Sequence, residues 1–230
     1  MLVGSGRGGT ALEVLVLRRV GGEPLETVLG WAEFAGRRLT VRPGVFVPRR
    51  RTELLARTAA AHCGPGSVLL ELCCGVGPVA ATVAAGEIHL GDLDPAALAC
   101  ARLNVPSGHT HLSDLYADLP ADLRGRIDVV AANAPYVPTD RIELMPTEAR
   151  EHEQPLALDG GLDGVDLQRR IAAEAPVWLA PGGVLLIETS PAQVSLTEQA
   201  MRAAGLSTEV LIDEDIGGCV VRGLRPGEQA

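Results

Sequence analysis

The tetrapeptide Asn133-Ala134-Pro135-Tyr136 carries groups that can hold a planar –NH2 nitrogen. The Asn side chain has an acceptor and two donors, and the Tyr ring has a flat face. Because Pro135 restricts the residue before it to an extended conformation, it fixes the direction of the Ala134 carbonyl. Two acceptors can then take the –NH2 hydrogens while the nitrogen lone pair faces an electrophile. The four residues predict a site at which the nitrogen of a bound –NH2 group attacks an electrophile. The alternative interpretation is a polar turn after a strand.

A run of small residues, Cys73 to Gly77, separates a predicted strand from a predicted helix. The apolar run Val68–Leu72 is typical of a strand covered on both faces, and Ala80–Ala85 is predicted to be the helix. Gly75 and Gly77 allow a tight turn, and their missing Cβ atoms let a ligand approach the main chain. Free N–H groups at a helix start favour negative groups. The run predicts a ligand-binding loop, with close packing of small residues as the alternative.

Asp92 ends the next predicted strand, which begins at Glu87. An acid roughly 20 residues after a Gly-rich turn is placed to hydrogen-bond ribose hydroxyls, which predicts a ligand that carries a nucleoside. A further predicted strand, Ile127–Ala131, leads directly towards Asn133. Because ligands of open α/β sheets bind beyond the carboxyl ends of the strands, we expect both motifs to face one crevice.

Strands and helices alternate from Ser67 onward, which is typical of a parallel sheet. The last two predicted strands are joined only by Asp213 to Gly218, too short for a helical crossover, so this pair must be antiparallel. The N-terminal part predicts a helix at Ala11–Val20 and a hairpin around Ala35-Gly36-Arg37. The strands predicted after Ser67 are Val68–Leu72, Glu87–Leu90, His109–Leu112, Ile127–Ala131, Val184–Glu188, Ser207–Ile212 and Cys219–Leu224.

The composition excludes several classes of protein. The net charge of -9, with arginine as the sole basic residue type, argues against tight, non-specific binding of nucleic acid. No apolar run reaches the roughly 18 residues of a membrane span, and the N-terminus lacks the pattern of a signal peptide, so we expect a cytoplasmic protein. The five cysteines form no C-x-x-C pair, which indicates reduced thiols.

We expect no metal site. His109 and His111 share one face of a predicted strand, but no third ligand is evident. The segment Asp159–Asp166 lacks the acid spacing and the closing Glu of an EF-hand, so it predicts a turn and helix cap near the active site.

Together, these motifs resemble those of the class I S-adenosylmethionine-dependent methyltransferases. More narrowly, they resemble the protein-(glutamine) methyltransferases that modify peptide-chain release factors. The resemblance extends from about Val20 to the C-terminus. Besides the Gly-rich turn and the tetrapeptide, the matching stretches are Gly22–Leu25, Val47–Arg49 with Thr52 and Glu53, Asp92–Leu98, Ser113–Leu115, Ala157–Gly164 and Pro181–Gly183.

The resemblance implies an α/β fold with a Rossmann-like, seven-stranded methyltransferase sheet that is parallel except for an antiparallel final strand. Helices would cover both faces. Residues 53–230 would be the methyltransferase domain, and residues 1–52 an appendage of one helix and a hairpin. Family members that act on release factors carry a longer N-terminal helical domain, so either this chain is trimmed or it recognises another substrate.

The resemblance also implies a site for S-adenosylmethionine. Glu71 would lie by the methionine end, Asp92 would bind the ribose, and Asp114 with Leu115 would border the adenine. The family usually has Gly where this chain has Cys73, whose side chain narrows the groove. The full set of cofactor residues is Glu71, Cys73, Cys74, Gly75, Val76, Gly77, Asp92, Leu93, Asp114, Leu115 and Asn133.

For the methyl acceptor, the resemblance implies that Asn133 and the Ala134 carbonyl hold the amide nitrogen, with Tyr136 packed on its plane. The family usually has Pro where this chain has Ala134, but the carbonyl is retained. The catalytic set is Asn133, Ala134, Pro135 and Tyr136, and Pro48 and Arg49 join it as substrate-binding residues. His152 and Glu153 are further candidates to border the substrate.

The leading hypothesis is methyl transfer from S-adenosylmethionine to a glutamine side-chain amide in a protein, such as a release factor. The main alternative is a methyltransferase that acts on an exocyclic amine of a nucleic acid or on a small molecule. A cofactor-binding regulator without catalysis and an NAD-dependent oxidoreductase are two further alternatives.

Overall fold

The computed structural model describes residues 10–145, 150, 152–154 and 157–227. The helices and strands are, in chain order, α1 (Ala11–Val20), α2 (Leu25–Leu29), β1 (Trp31–Phe34), β2 (Arg37–Thr40), α3 (Glu53–His62), β3 (Val68–Leu72), β4 (Glu87–Asp92), α4 (Pro95–Asn104), β5 (His109–Leu112), β6 (Ile127–Ala132), α5 (Asp166–Trp178), β7 (Leu179–Glu188), α6 (Val194–Ala203), β8 (Ser207–Asp213) and β9 (Gly218–Leu224). In this described part of the chain, no helix is long and apolar enough to cross a membrane.

Within the described residues, the main sheet has seven strands in the order β5-β4-β3-β6-β7-β9-β8. Strands β3 to β7 pair in parallel, whereas β9 runs antiparallel to both β7 and β8. The predicted sheet and its antiparallel last pair are therefore confirmed, as are the N-terminal helix and the hairpin β1–β2. The strand order reverses between β3 and β6, the point at which open α/β sheets bind ligands.

Strand β3 is buried along its whole length because apolar layers cover both faces of the sheet. Leu69 packs in one layer with Leu55 of α3 and Leu98 of α4. Leu70 packs in the opposite layer with Ile171 of α5. This alternation follows from the two-residue repeat of a strand, which sends successive side chains to opposite faces of the sheet.

The predicted helix at Ala80–Ala85 is wrong, because the chain forms turns at 78–82. The N–H groups of Val79 and Ala80, which the start of a helix would leave free, donate to the Glu71 carboxylate at 3.2 and 2.7 Å. The Thr82 N–H donates to the Val79 carbonyl at 2.9 Å and closes a tight turn. The alanine-rich composition of 80–85 alone therefore gave a misleading signal.

Gly86, just before β4, lies against the turn that precedes β3. A Cβ at this position would come within 2.2 Å of the Pro65 carbonyl oxygen. We expect Gly86→Ala to lower the free energy of unfolding by about 1–3 kcal/mol, because main chain cannot rotate away from the added carbon. Urea unfolding followed by tryptophan fluorescence measures the change.

Gly66→Ala is the matched control, since a Cβ there meets no atom within 4 Å. It should be neutral or stabilising by up to about 1 kcal/mol, because alanine restricts the unfolded chain. Equal stability of the two variants would contradict the steric argument.

Candidate functional site

A cavity of about 270 Å³ lies at the carboxyl ends of β3 and β6. The parallel pairing of Leu72 with Ala132 sets the two following loops side by side. The predicted site residues that line the cavity are Arg49, Cys73, Gly75, Asp92, Leu93, Asp114, Leu115, Asn133, Ala134, Pro135 and Tyr136. The predicted residues outside its lining are Pro48, Glu71, Cys74, Val76 and Gly77. The Gly-rich turn and the tetrapeptide thus share one space.

Asp92, the last residue of β4, connects the Gly-rich turn with the cavity. Its Oδ2 accepts from the Gly75 N–H at 2.7 Å, and its Oδ1 accepts from the Asp94 N–H at 2.8 Å. Burial raises the pKa of this carboxyl, and the backbone hydrogen bonds oppose the shift. Each carboxylate oxygen has a second lone pair, so Asp92 can also accept from the hydroxyl groups of a ribose.

The turn depends on residues with positive φ. The values are 49° at Cys73, 52° at Gly75 and 75° at Gly77. Gly77 has no room for a side chain, since a Cβ would lie 2.8 Å from Leu90 Cδ2. Burial raises the pKa of Cys73 and of Cys74, so both are uncharged thiols and not nucleophilic thiolates.

Glu71 lies beneath the turn and is only 4% exposed. Burial raises its pKa to about 8, and the hydrogen bonds from Val79 and Ala80 offset only part of that effect. The sequence placed Glu71 by the methionine end of the cofactor. The structure places it behind the turn and outside the cavity lining, where it accepts from the N–H groups of Val79 and Ala80.

The loop after β5 supplies another wall of the cavity. Leu115 has a φ of 54°, and its carbonyl accepts from the Ser113 hydroxyl at 2.9 Å. Asp114 Oδ2 accepts from Arg170 Nη2 at 2.8 Å. Arg170 belongs to α5 and also lines the cavity. Sequence analysis missed this residue because no local pattern connects it with a loop 56 positions earlier.

Asn133 is oriented by the start of α3. Its Nδ2 donates to Thr52 Oγ1 at 3.2 Å, which leaves Oδ1 as the side-chain acceptor at the cavity. Thr52 occupies the N-cap position of α3 but makes no side-chain capping bond. Its hydroxyl binds Asn133 instead, so this buried threonine is a member of the site that sequence analysis did not identify.

The main chain of the tetrapeptide is held by a buried amide and by two glycines. Gln193 Nε2 donates to the Tyr136 carbonyl at 2.9 Å. A Cβ at Gly160 would lie 2.8 Å from the Pro135 carbonyl oxygen, and one at Gly164 would lie 2.4 Å from the Tyr136 carbonyl oxygen. The Gly-rich segment predicted as a turn near the active site therefore packs directly on the tetrapeptide.

Two arginines before α3 line the side of the cavity next to the tetrapeptide, which we call the acceptor side. Arg49 pairs with Glu153 at 2.5 Å, and Arg51 pairs with Glu188 at 3.1 Å. Both carboxylates are buried. Burial, followed by the charge of Glu188, raises the pKa of Tyr136 to about 12. Sequence analysis singled out Arg49 and Glu153, but no pattern pointed to Glu188.

Comparison with known proteins finds relatives over most of the chain. Residues 37–161 match the family model of the methyltransferase small domain. The release factor glutamine methyltransferase of Geobacter sulfurreducens is 35% identical over 179 residues, which are 76% of this chain and 63% of that protein. That of Mycolicibacterium smegmatis is 37% identical over 219 residues, 90% of this chain and 76% of that protein.

A third relative has a different acceptor in its name. The 4-amino-L-phenylalanine/4-methylamino-L-phenylalanine methyltransferase of Streptomyces pristinaespiralis is 35% identical over 202 residues, 83% of this chain and 69% of that protein. Among solved structures, a methyltransferase from Pyrococcus furiosus has a TM-score of 0.61 at 14% identity and covers 95% of this chain and 100% of its own.

The strand order, the reversed strand β9 and the cavity at the switch point define a class I S-adenosylmethionine-dependent methyltransferase. The sequence relatives narrow this class further. The chain belongs to the release factor glutamine methyltransferase family.

Glu71 makes the stability of the fold depend on pH. Its pKa of about 8 in the folded protein lies above its ordinary value of 4.5. Between these values the folded state retains a proton that the unfolded state has lost. The contribution of Glu71 to stability is therefore greatest below pH 4.5, falls as the pH rises to about 8, and is constant above that.

The variant Glu71→Gln tests this dependence. It does not titrate, and it places an amide N–H against one of the two backbone donors, which costs about 1–3 kcal/mol. We expect the variant to be less stable than the wild type at low pH. The difference in the free energy of unfolding between the two proteins should become smaller towards pH 8, by up to about 1.4 kcal/mol per pH unit. Urea unfolding across this range measures both proteins, and parallel pH profiles would contradict the assignment.

Proposed function

We propose that this protein transfers a methyl group from S-adenosylmethionine to the side-chain amide nitrogen of a glutamine in a peptide-chain release factor. The observation that carries the proposal is that the Asn133 tetrapeptide lines the same cavity as the Gly-rich turn and Asp92. Membership of the release factor glutamine methyltransferase family supports the same acceptor. This function would operate in the cytoplasm, where release factors act.

The cofactor half of the cavity suits a ligand that carries a nucleoside. Asp92 has free lone pairs for ribose hydroxyls, and Asp114 with Leu115 forms a wall that would border the adenine. Gly75 presents main chain without a side chain, and Glu71 fixes the turn from behind. When bound, S-adenosylmethionine supplies an electrophilic methyl carbon.

At the acceptor side, Asn133 Oδ1 and the Ala134 carbonyl would accept the two amide hydrogens, while the Tyr136 ring packs on the amide plane. An amide nitrogen is a poor nucleophile because its lone pair is delocalised into the carbonyl. These residues therefore act by orientation, which can supply several kcal/mol of barrier reduction. Because Ala134 contributes a main-chain oxygen, its difference from the usual proline leaves the acceptor atom in place.

We also propose that residues 53–230 form the methyltransferase domain and residues 1–52 an appendage that contributes to acceptor binding. Gly44, Phe46, Arg49 and Arg51 precede the boundary, and all four line the cavity. The appendage would thus complete the acceptor side of a site whose cofactor half comes from the sheet.

A second candidate function is methylation of an amino group on a small aromatic molecule. The observation that favours it is the 35% identity to the Streptomyces pristinaespiralis enzyme, equal to that of the Geobacter relative. The tetrapeptide chemistry does not separate the two acceptors, since both present a planar –NH2 group.

An assay with labelled S-adenosylmethionine separates these functions. We expect a release factor to gain a methyl group on a glutamine, located by mass spectrometry, and 4-amino-L-phenylalanine to gain none. Asn133→Ala should lower kcat/KM by at least about a hundredfold, because it removes one of two orienting acceptors. Gln199→Ala, an exposed amide on α6, is the matched control and should behave as wild type. Labelling of 4-amino-L-phenylalanine without labelling of the release factor would contradict the proposal.

Asp92→Asn tests the cofactor half. The variant loses the charge and places an amide N–H opposite the Gly75 or the Asp94 donor. Affinity for S-adenosylhomocysteine, measured by calorimetry, should fall by about tenfold to a hundredfold, since hydrogen bonds to charged groups contribute about 1.5–3 kcal/mol. Asp122→Asn, an exposed carboxylate, is the control. Unchanged affinity in the Asp92 variant would remove Asp92 from the cofactor site.

A further inference from the structure

Glu188, the last residue of β7, is a buried carboxylate on the acceptor side that the proposed reaction does not use. Its side chain is 1% exposed, and its Oε1 accepts from Arg51 Nε at 3.1 Å. Its Oε2 makes no hydrogen bond of standard geometry to the described residues, although the Thr52 and Tyr136 hydroxyls also interact with this carboxyl group. The pairing of Ala132 with Ile187 sets Glu188 level with Asn133. Burial of a carboxylate is unfavourable unless it is paired, and the Arg51 guanidinium supplies the opposite charge here.

Arg51 connects this buried charge with the cavity. Its Cζ lies 5.6 Å from the centroid of the Tyr136 ring, within the range of a cation–π contact. Arg51 and Tyr136 line the cavity, whereas Glu188 does not. The next residue, Thr52, accepts from Asn133 Nδ2. Two consecutive residues therefore hold the two side chains that would grip the acceptor.

The segment that carries Arg51 is also confined from the side of β9. A Cβ at Gly218 would lie 3.0 Å from the Arg51 carbonyl oxygen and 2.9 Å from Leu54 Cβ. The main chain of β9 therefore packs directly on this segment. With the main chain fixed in this way, the ion pair with Glu188 determines where the Arg51 guanidinium lies.

We infer that Glu188 is a positioning residue for the methyl acceptor, because it holds the Arg51 guanidinium over the Tyr136 ring. The ring and the Asn133 amide then keep the spacing that a planar –NH2 group requires. The inference rests on the proposed function. If the ion pair only stabilised the fold, its loss would lower the stability of the protein. The position of the Tyr136 ring and the turnover of the folded enzyme would then stay unchanged.

Glu188→Gln keeps the shape of the side chain and removes its charge. We expect kcat for a release factor to fall by about tenfold to a hundredfold, because small displacements of reacting groups have effects of that size. Affinity for S-adenosylhomocysteine should be retained, since Glu188 lies outside the lining. Glu188→Asp keeps the charge and should restore part of the loss. Glu209→Gln is the matched control: its carboxylate pairs with Arg222 at 2.5 Å, away from the lining, and kcat should not change.

The ring position can be measured without turnover. The chain has two tyrosines, so protein labelled with 3-fluorotyrosine gives two fluorine NMR signals, and Tyr116→Phe assigns them. Glu188→Gln should move the Tyr136 signal, and Arg51→Met should move it in the same direction. The double variant should lose no more kcat than the worse single variant, because residues that act as one unit are not additive.

Wild-type kcat together with an unmoved Tyr136 signal in Glu188→Gln would overturn the inference, and so would additive losses in the double variant. If the wild type methylates no release factor, the proposed function fails. Fluorine shifts in the same direction in Glu188→Gln and Arg51→Met would then still show that the ion pair positions Tyr136, because direct effects of the two lost charges would have opposite signs. Shifts in opposite directions would overturn the inference. Should Glu188→Gln fail to fold, Arg51→Met supplies the same readouts.

Discussion

Two acidic side chains near the carboxyl ends of neighbouring strands, the buried Glu71 and the partly buried Asp92, hold the Gly-rich turn in shape. Glu71 of β3 accepts hydrogen bonds from the N–H groups of Val79 and Ala80. Asp92 of β4 accepts one from the N–H of Gly75. Removing a carboxylate from water is costly unless hydrogen bonds replace those of the solvent. The turn must therefore adopt a conformation that aims its N–H groups at these two side chains, and the positive φ of Gly75 belongs to that conformation. The Gly-rich turn is thus held by side chains beneath it and beside it.

The register of the sheet decides which loops meet. Strand β3 lies between β4 and β6, with Leu72 level with both Gly91 and Ala132. The turn after Leu72, the acid at Asp92 and the amide at Asn133 consequently emerge at one edge of the sheet. Strand β3 is buried along its whole length, so the loops that form the site follow strands in the interior of the sheet.

The sequence predicted features that depend on neighbouring residues, and it did not reveal contacts between residues that are far apart in the chain. Apolar runs identified the strands, and the short link between β8 and β9 identified their antiparallel pairing. The helix expected at Ala80–Ala85 was wrong, since the chain forms turns at 78–82. The ion pair of Arg51 with Glu188 joins residues 137 positions apart, so no spacing rule could reveal it. Thr52 occupies the N-cap position of α3, but its hydroxyl accepts from the amide of Asn133, which lies 81 positions away.

The two halves of the site therefore differ in how they are built. The cofactor half uses backbone N–H groups held by carboxylates at strand ends, which ties its shape to the sheet. The acceptor side uses ion pairs between distant segments, Arg49 with Glu153 and Arg51 with Glu188. These pairs join residues 104 and 137 positions apart, so the acceptor side depends on long-range contacts that no local sequence pattern encodes.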